Sequence, residues 1–214
     1  MNTRIRRSAV VLAAAAVLPL ALSACSDNNG DSAKSKTSDK ASASGSSMGG
    51  GGAAMADAPF GPACSGVPKS GAGSFDGMAK DPVATAASNN PALSTLVTAV
   101  KKAGLVDTLN NAQGITVFAP TNDAFAKIPK ATLDKVLADK AQLTKILTYH
   151  VVGQPLAPKD LSKGSFDTLE KAKLTTSGSG ESYTVNDSAK VVCGNVKTAN
   201  ANVYIIDTVL MPSS

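Results

Sequence analysis

Tryptophan is absent from this 214-residue chain, histidine occurs once, and aromatic residues make up only 4% of it. Arginine is confined to Arg4, Arg6 and Arg7. A nucleic-acid interface needs a cationic patch interleaved with stacking side chains, so these absences argue against one. A single histidine, His150, also narrows the chemistry. A zinc site built on it would need carboxylates or Cys64 and Cys193 as further ligands, and no cluster with ligand spacing occurs. No Gly-x-Ser-x-Gly stands between a predicted strand and helix as an elbow requires, the pattern at Gly45 to Gly49 lying in a Ser/Gly-rich run, and no nucleophile pairs with His150. The glycine-rich runs lack the strand-to-helix context and the lysine of a phosphate-binding loop. The chain is therefore read as non-enzymatic, with no metal and no other cofactor. A long apolar run is missing too: Ala9 to Leu22, interrupted by Pro19, is shorter than the roughly 20 residues of a spanning helix.

What that run does have is the right company. Arg4, Arg6 and Arg7 precede it and Ser23-Ala24-Cys25 follows, the charged, apolar, small order of a secretory signal over residues 1–24. The residues around Arg6-Arg7 do not support a twin-arginine signal, so the general secretory route is expected. Leu22-Ser23-Ala24-Cys25 resembles the lipobox of bacterial lipoproteins. That resemblance implies a diacylglyceryl group on the Cys25 thiol and cleavage in front of it, anchoring the protein to the outer face of the cytoplasmic membrane at the cell surface, with a shed or secreted form as a further expectation. The alternative is an ordinary cleavage site beside a chance cysteine. Of the 21 cationic residues, loss of the three arginines leaves 18 against 16 acidic ones, a charge of about +2 in place of the +5 of the full chain.

Residues 25–60 are Ser, Gly, Ala, Lys and Asp with almost nothing that packs, including Gly49 to Gly52. They read as a flexible tether, with a reach on the order of 30 to 35 Å for a Gly-rich coil of that length. Beyond it, residues 61–214 form a single domain with a core at about 74–212. In an exported protein Cys64 and Cys193 read as a disulfide pair. The bond closes a loop that the chain-entropy model values at roughly 5 kcal/mol. Two separate buried thiols are the alternative.

The organising stretch is Gly114 to Phe125. Ile115 to Phe118 are β-branched or aromatic and predict a buried strand; Pro120, lacking an amide hydrogen, closes it. Thr121 is placed to cap a helix, with Asp123 in the first turn where the helix dipole favours a negative charge. Upstream, Asp81 before Pro82 predicts a capped helix to Ser88, and Asn90 before Pro91 repeats the signal. Leu93, Leu96, Val97 and Val100 then give an amphipathic helix ending near Gly104, and Leu105 to Leu109 one more turn. Thr132–Leu137 and Ala141–Tyr149 are two further helices. Past His150 the period changes to that of strands: Val151–Val152, Phe166–Leu169, Lys173–Thr176, Ser182–Val185, Lys190–Cys193 and Asn202–Val209, with a hairpin turn at Asn186-Asp187. Tyr204 and Ile206 alternate with Val203 and Ile205, as in a strand buried on both faces. The fold class is α+β.

With those residues in view, the chain resembles the fasciclin-type domain of cell-surface proteins. Ile115-Thr-Val-Phe-Ala-Pro-Thr-Asn-Asp-Ala-Phe125 matches the first family motif, Leu147-Thr-Tyr-His-Val-Val152 the second, and Val203 to Leu210 has the look of the closing strand. Lipobox, tether and cysteine pair together look like the fasciclin-domain surface antigens of high-GC Gram-positive bacteria. The resemblance implies a short-stranded β-sheet wedge packed against several short helices, and adhesion or protein interaction in place of catalysis. It also implies candidate contacts at Tyr149 and His150, since a Tyr-His motif flanked by branched aliphatics has been proposed to contact integrins in animal members. A helix-to-strand junction among aliphatics equally fits a packed core pair with hydrogen-bonded tips. Asp123 is an adhesion contact in some members, but here it already has a capping position, next to Pro120 and Thr121. The expected partners are the membrane, through the Cys25 anchor, and an extracellular protein, glycan or matrix component, presented by a monomer. A lipoprotein holding a small apolar ligand between helices and sheet is the alternative, and it predicts a deep apolar cavity.

Overall fold

A computed structural model describes residues 58–212. The signal segment, Cys25 and the tether up to residue 57 lie outside the described residues. Four short helices, α1 (Phe75–Met78), α2 (Val83–Ser88), α3 (Ser94–Ala103) and α4 (Val106–Asn111), lead into strand β1 (Ile115–Pro120). Three more, α5 (Asn122–Ala126), α6 (Lys130–Ala138) and α7 (Lys140–Tyr149), follow it. In α3 the buried residues Leu96, Ala99, Val100 and Ala103 recur at helical spacing, and the helix ends at Gly104, whose φ of 73° lies in the left-handed region that favours glycine. α6 is shallower than expected: it begins at Lys130, and Leu133, Val136 and Leu137 are only half-buried.

Asp81 does not cap α2. Pro82 occupies the cap position without a side-chain bond. The free amides of the first turn are satisfied from far along the chain: Val83 N–H donates to Asn200 Oδ1 (2.8 Å) and Ala84 N–H to Asn110 Oδ1 (3.0 Å). The Asp81 carboxylate instead accepts from Asn89 Nδ2 at 3.1 Å. A cap need only place an oxygen at the exposed amides, so a residue brought there by the tertiary fold serves as well as a neighbour.

The remaining strands are β2 (Val151–Val152), β3 (Lys163–Asp167), β4 (Lys173–Ser179), β5 (Ser182–Val185), β6 (Ala189–Lys197) and β7 (Ala201–Ile206). They form one sheet in the order β2-β1-β7-β6-β5-β4-β3. β1 and β7 run parallel, flanked by β2 and β6, and the other pairings are antiparallel. A bridge between Val152 and Thr168 brings the two edges together at one end. Four strands depart from the expected limits, and one of them, β4, runs past Thr176 to Ser179, where it pairs with Ser182 of β5. β3 begins earlier and ends at Asp167, because Thr168 turns inward and both its N–H and its hydroxyl donate to Ala172 O. β6 continues past Cys193 through two register shifts, with Asn195 at a φ of 57°. β7 stops at Ile206, because the Asp207 carboxylate accepts from Lys190 N–H and ends the ladder.

β1 and β7 are buried on both faces. Ile115, Val117, Ala119, Val203 and Ile205 face the helices, while Phe118, Tyr204 and Ile206 face a second cluster with Leu174, Tyr183 and Val185 inside the sheet wedge. The entry segment is strapped across β6. Phe60 exchanges both backbone hydrogen bonds with Gly194, at 3.1 and 2.8 Å, and its ring lies where any Cβ at 194 would be. Cys64 is joined to Cys193 with a Cα separation of 4.9 Å.

Candidate functional site

The two motifs meet where α7 runs into β2 beside the β1–α5 corner. Pro120, with no amide hydrogen, is the last residue of β1. The next amide, Thr121 N–H, donates to Ile206 O at 3.0 Å, fixing the corner to β7. Thr121 Oγ1 then accepts from Ala124 N–H at 3.1 Å and caps α5. Asp123 sits exposed in the first turn of that helix. Asn122 reaches sideways: its Oδ1 accepts from Thr95 N–H at 2.9 Å and its Nδ2 donates to Pro91 O, which pins α5 to the start of α3.

His150 closes α7 and is 2% exposed. Leu210 N–H points at its Nε2 at 3.0 Å, so that nitrogen is the acceptor; Nδ1 carries the hydrogen and donates to Ile146 O at 2.8 Å. Its own carbonyl accepts from Phe118 N–H at 2.9 Å. One residue thus joins helix, central strand and C-terminal segment. Burial disfavours the charged ring and lowers its pKa to about 4, against a smaller opposing effect of the Ile146 carbonyl.

Tyr149 turns the other way, into the sheet cluster, and is 4% exposed. Its hydroxyl donates to Lys173 O at 2.9 Å and accepts from Asn186 Nδ2 at 2.7 Å. Asn186 Oδ1 in turn accepts from Thr175 N–H, so the hairpin turn at Asn186-Asp187, both at positive φ, is latched to the end of α7. The flanking Ile146, Leu147, Val151 and Val152 are all buried. The Tyr-His pair therefore offers a partner almost no surface, and both polar tips are held inside the domain. Sequence reasoning passed over the asparagines that do comparable work. Asn200 is the largest omission: besides accepting from Val83, its Nδ2 donates to Leu109 O, Asn110 O and Ala112 O. Its one local signal was an Asn in a predicted turn.

Among the described residues no group of three or more His, Cys, Asp or Glu side chains comes together as a metal site, and no helix is long and apolar enough to cross a membrane. Between α2, α3, α4 and the β1–β7 pair lies an apolar void of about 50 Å³, lined by residues including Leu96, Val100, Phe118 and Leu147. Pockets that enclose small molecules run to roughly 300 Å³ or more, so an acyl chain does not fit this packing.

The fasciclin domain model matches residues 91–212. The cell surface glycolipoprotein MPB83 of Mycobacterium bovis is 53% identical over 147 residues, covering 66% of this chain and 66% of that protein. The immunogenic protein MPB70 of Mycobacterium bovis is 49% identical over 160 residues, covering 71% of this chain and 81% of that protein. The match thus spans just under two thirds of the first relative's length. Among solved structures, the FAS1 domain pair of the insect cell adhesion molecule fasciclin I aligns with a TM-score of 0.52 at 21% identity, over 63% of this chain and 52% of that one. At that identity the likeness carries the fold alone.

Proposed function

The chain belongs to the fasciclin domain family, and on that premise we propose that it is a non-enzymatic, exported, lipid-anchored protein that presents its domain as a binding surface for adhesion to a protein, glycan or matrix component. The observation that carries this reading is the internal commitment of the motif. Both ring nitrogens of His150 and the hydroxyl of Tyr149 are bonded within the domain, which leaves the sole histidine no role as a base or ligand. What remains for a partner is the outer surface of a disulfide-clamped fold. The relative MPB83 is by name a cell surface glycolipoprotein, in keeping with a surface location here and with acylation at Cys25. Two or three acyl chains on one residue hold stably where one holds only marginally, and the tether then sets the domain away from the lipid.

The test is cross-linking mass spectrometry on intact cells carrying the full chain, with the mature N-terminus sequenced from the same samples. The reading expects an acylated N-terminal Cys25 and a defined surface protein or glycan captured by the domain. A chain that begins elsewhere without lipid removes the anchor, and a domain that retains no surface or matrix component removes adhesion.

A further inference from the structure

Among the described residues, β3 is an edge strand whose outer side is open over most of its length. Its neighbour on one side is β4, while on the other the edges touch only at Val152 and Thr168. Thr168 N–H donates to Ala172 O on the β4 side and Leu169 N–H to Val151 O on the β2 side, so the odd-numbered residues of β3 turn their amides and carbonyls outward. Lys163 and Ser165 are the two clear of the bridge, and no backbone hydrogen bond joins them to the facing Gly153–Pro155 segment. Between that segment and β3 lie two open hollows of about 340 and 620 Å³ that share Gln154, Ser165 and Phe166. Both are lined by the half-buried Phe166, whose ring folds over Gly164 where a Cβ would otherwise sit; Leu169, which is 42% exposed, lines the smaller and Pro155 the larger.

The charges around the slot are unbalanced. Asp160, which accepts from Ala157 N–H at 2.8 Å, is the one carboxylate of the larger hollow, and Asp167 is paired with Lys173 at 2.8 Å, so two lysines face a single acidic group there. Lys159 and Lys163 line the larger hollow, are exposed, and make no ion pair among the described residues. An unpaired strand edge, an aromatic ring beside it and a surplus of positive charge are the features of a strand-addition site: the main chain supplies affinity, and the side chains choose the guest.

We propose that the outer edge of β3 is a docking slot for an extended acidic peptide segment of another protein, which pairs its backbone with Lys163 and Ser165 and sets its carboxylates against Lys159 and Lys163. This rests on the reading that the domain works by presenting a binding surface, and it names the place and the partner's chemistry.

The experiment titrates the isotopically labelled full chain with the synthetic peptide Val-Asp-Val-Asp-Val-Asp and with its counterpart Val-Lys-Val-Lys-Val-Lys, following backbone amides by NMR. The acidic peptide is expected to shift the Lys163 and Ser165 amides saturably and slow their exchange, and the basic one to leave them unmoved. Reversing the exposed cations in a Lys159→Glu, Lys163→Glu variant is expected to weaken the acidic peptide by about tenfold or more. Ser165→Pro is expected to abolish binding while leaving the β3–β4 ladder intact, because proline is tolerated where an edge amide faces outward. No shift at millimolar peptide, or an equal response to both peptides, overturns the proposal. So does slow exchange at Ser165 without peptide, which means a second copy of the chain if it rises with protein concentration and a segment of the same chain if it does not. A response to an anionic oligosaccharide but not to the peptide assigns the lysines to a glycan instead, and also overturns it. If Ser165→Pro retains its surface partner as the parent does, the slot fails and the adhesive reading stands; if the parent retains nothing, the adhesive reading itself fails.

Discussion

On the helix side of β1 and β7 the buried side chains are almost all aliphatic, and the packing leaves a void; on the wedge side aliphatic residues share the core with Phe118, Tyr149, Tyr183 and Tyr204, and the hydroxyls of Tyr149 and Tyr204 are hydrogen-bonded. The helix side brings Leu96, Val100 and a row of alanines from α2 and α3 against Val117 and Val203, with about 50 Å³ unfilled. The wedge side stacks Phe118 on Tyr204 at 5.8 Å and sets Phe60 edge-on to Tyr183 at 5.5 Å. There Tyr204 donates to Leu156 O at 2.8 Å, and its hydroxyl, deprived of water, has its pKa pushed upward, with nearby Asp160 and Tyr183 adding to the effect. Hydroxyls with fixed partners define ring positions, so the wedge is the better specified of the two. The helices are held by something else: asparagine side chains that bond backbone ends across large sequence distances.

The comparison is tested most severely at Phe118, which is fully buried at the boundary between the two sides. Phe118→Ala should cost about 3 to 5 kcal/mol, and Leu96→Ala nearer 2 to 3 because the smaller side chain takes fewer buried atoms with it. Urea unfolding of both variants checks the order, and equal losses break the distinction. Asn200→Ala should come next, at about 2 to 4 kcal/mol, since it strands the Val83 amide and the carbonyls of Leu109 and Ala112 in a largely buried place. Its signature is local. Hydrogen exchange should accelerate in α2 and α4 before it does in β5, and uniform acceleration would count against asparagine as the helix fastening.

pH separates the regions through His150, the imidazole at their junction. Its folded pKa of about 4 lies below the unfolded value of 6.5. The unfolded chain therefore binds the extra proton first as pH falls, so the stabilisation is complete above pH 6.5 and is lost progressively from there down to about 4. The loss is on the order of 3 kcal/mol. Asp207, whose carboxyl is held below its usual range by hydrogen bonds from Lys190, Thr208 and Lys127 that outweigh its desolvation, loses its contribution only as pH falls through and below 3.8. A stability profile that declines between pH 6.5 and 4 in the parent, and is flat there in His150→Gln, is the expected result. The same decline in both would assign it elsewhere.

The wedge and the central strands were legible in the sequence because their signals are local. Alternation through Val203 to Ile206, the β-branched run after Gly114, Thr121 at a helix start, and Asn186-Asp187 at a hairpin each act within a few residues, and each element lies where those signals point. The cysteine pair was legible because only two thiols remain beyond the lipobox, and they are bonded. The fastening of α2 was not: Val83 and Asn200 are 117 residues apart, and nothing near Asn200 marks it as a cap. The burial of the Tyr-His pair was open for the same reason, since the partners of Tyr149 lie 24 and 37 residues away. The bulges of β6, beside the Phe60 strap, and the early end of β3 at the Thr168 turn are announced by no periodicity.

The smallest expected effect is the most discriminating, because it changes sign between the two sides. Val97→Ile adds one methylene to a half-buried residue that lines the helix-side void and keeps the β-branched shape. The added group fills space already present, so the variant should gain up to about 0.8 kcal/mol. Val185→Ile makes the same chemical change at a fully buried site of the wedge cluster, among Leu174, Tyr183 and Tyr204. That site is fully buried and, among the described residues, has no void beside it like the one at Val97, so overpacking should cost about 1 to 3 kcal/mol. Matched thermal denaturations of the two variants read the difference directly. Opposite signs locate the slack of this fold beneath α2 and α3, whereas a loss at both positions would mean that the helix side is as tightly specified as the wedge despite its void.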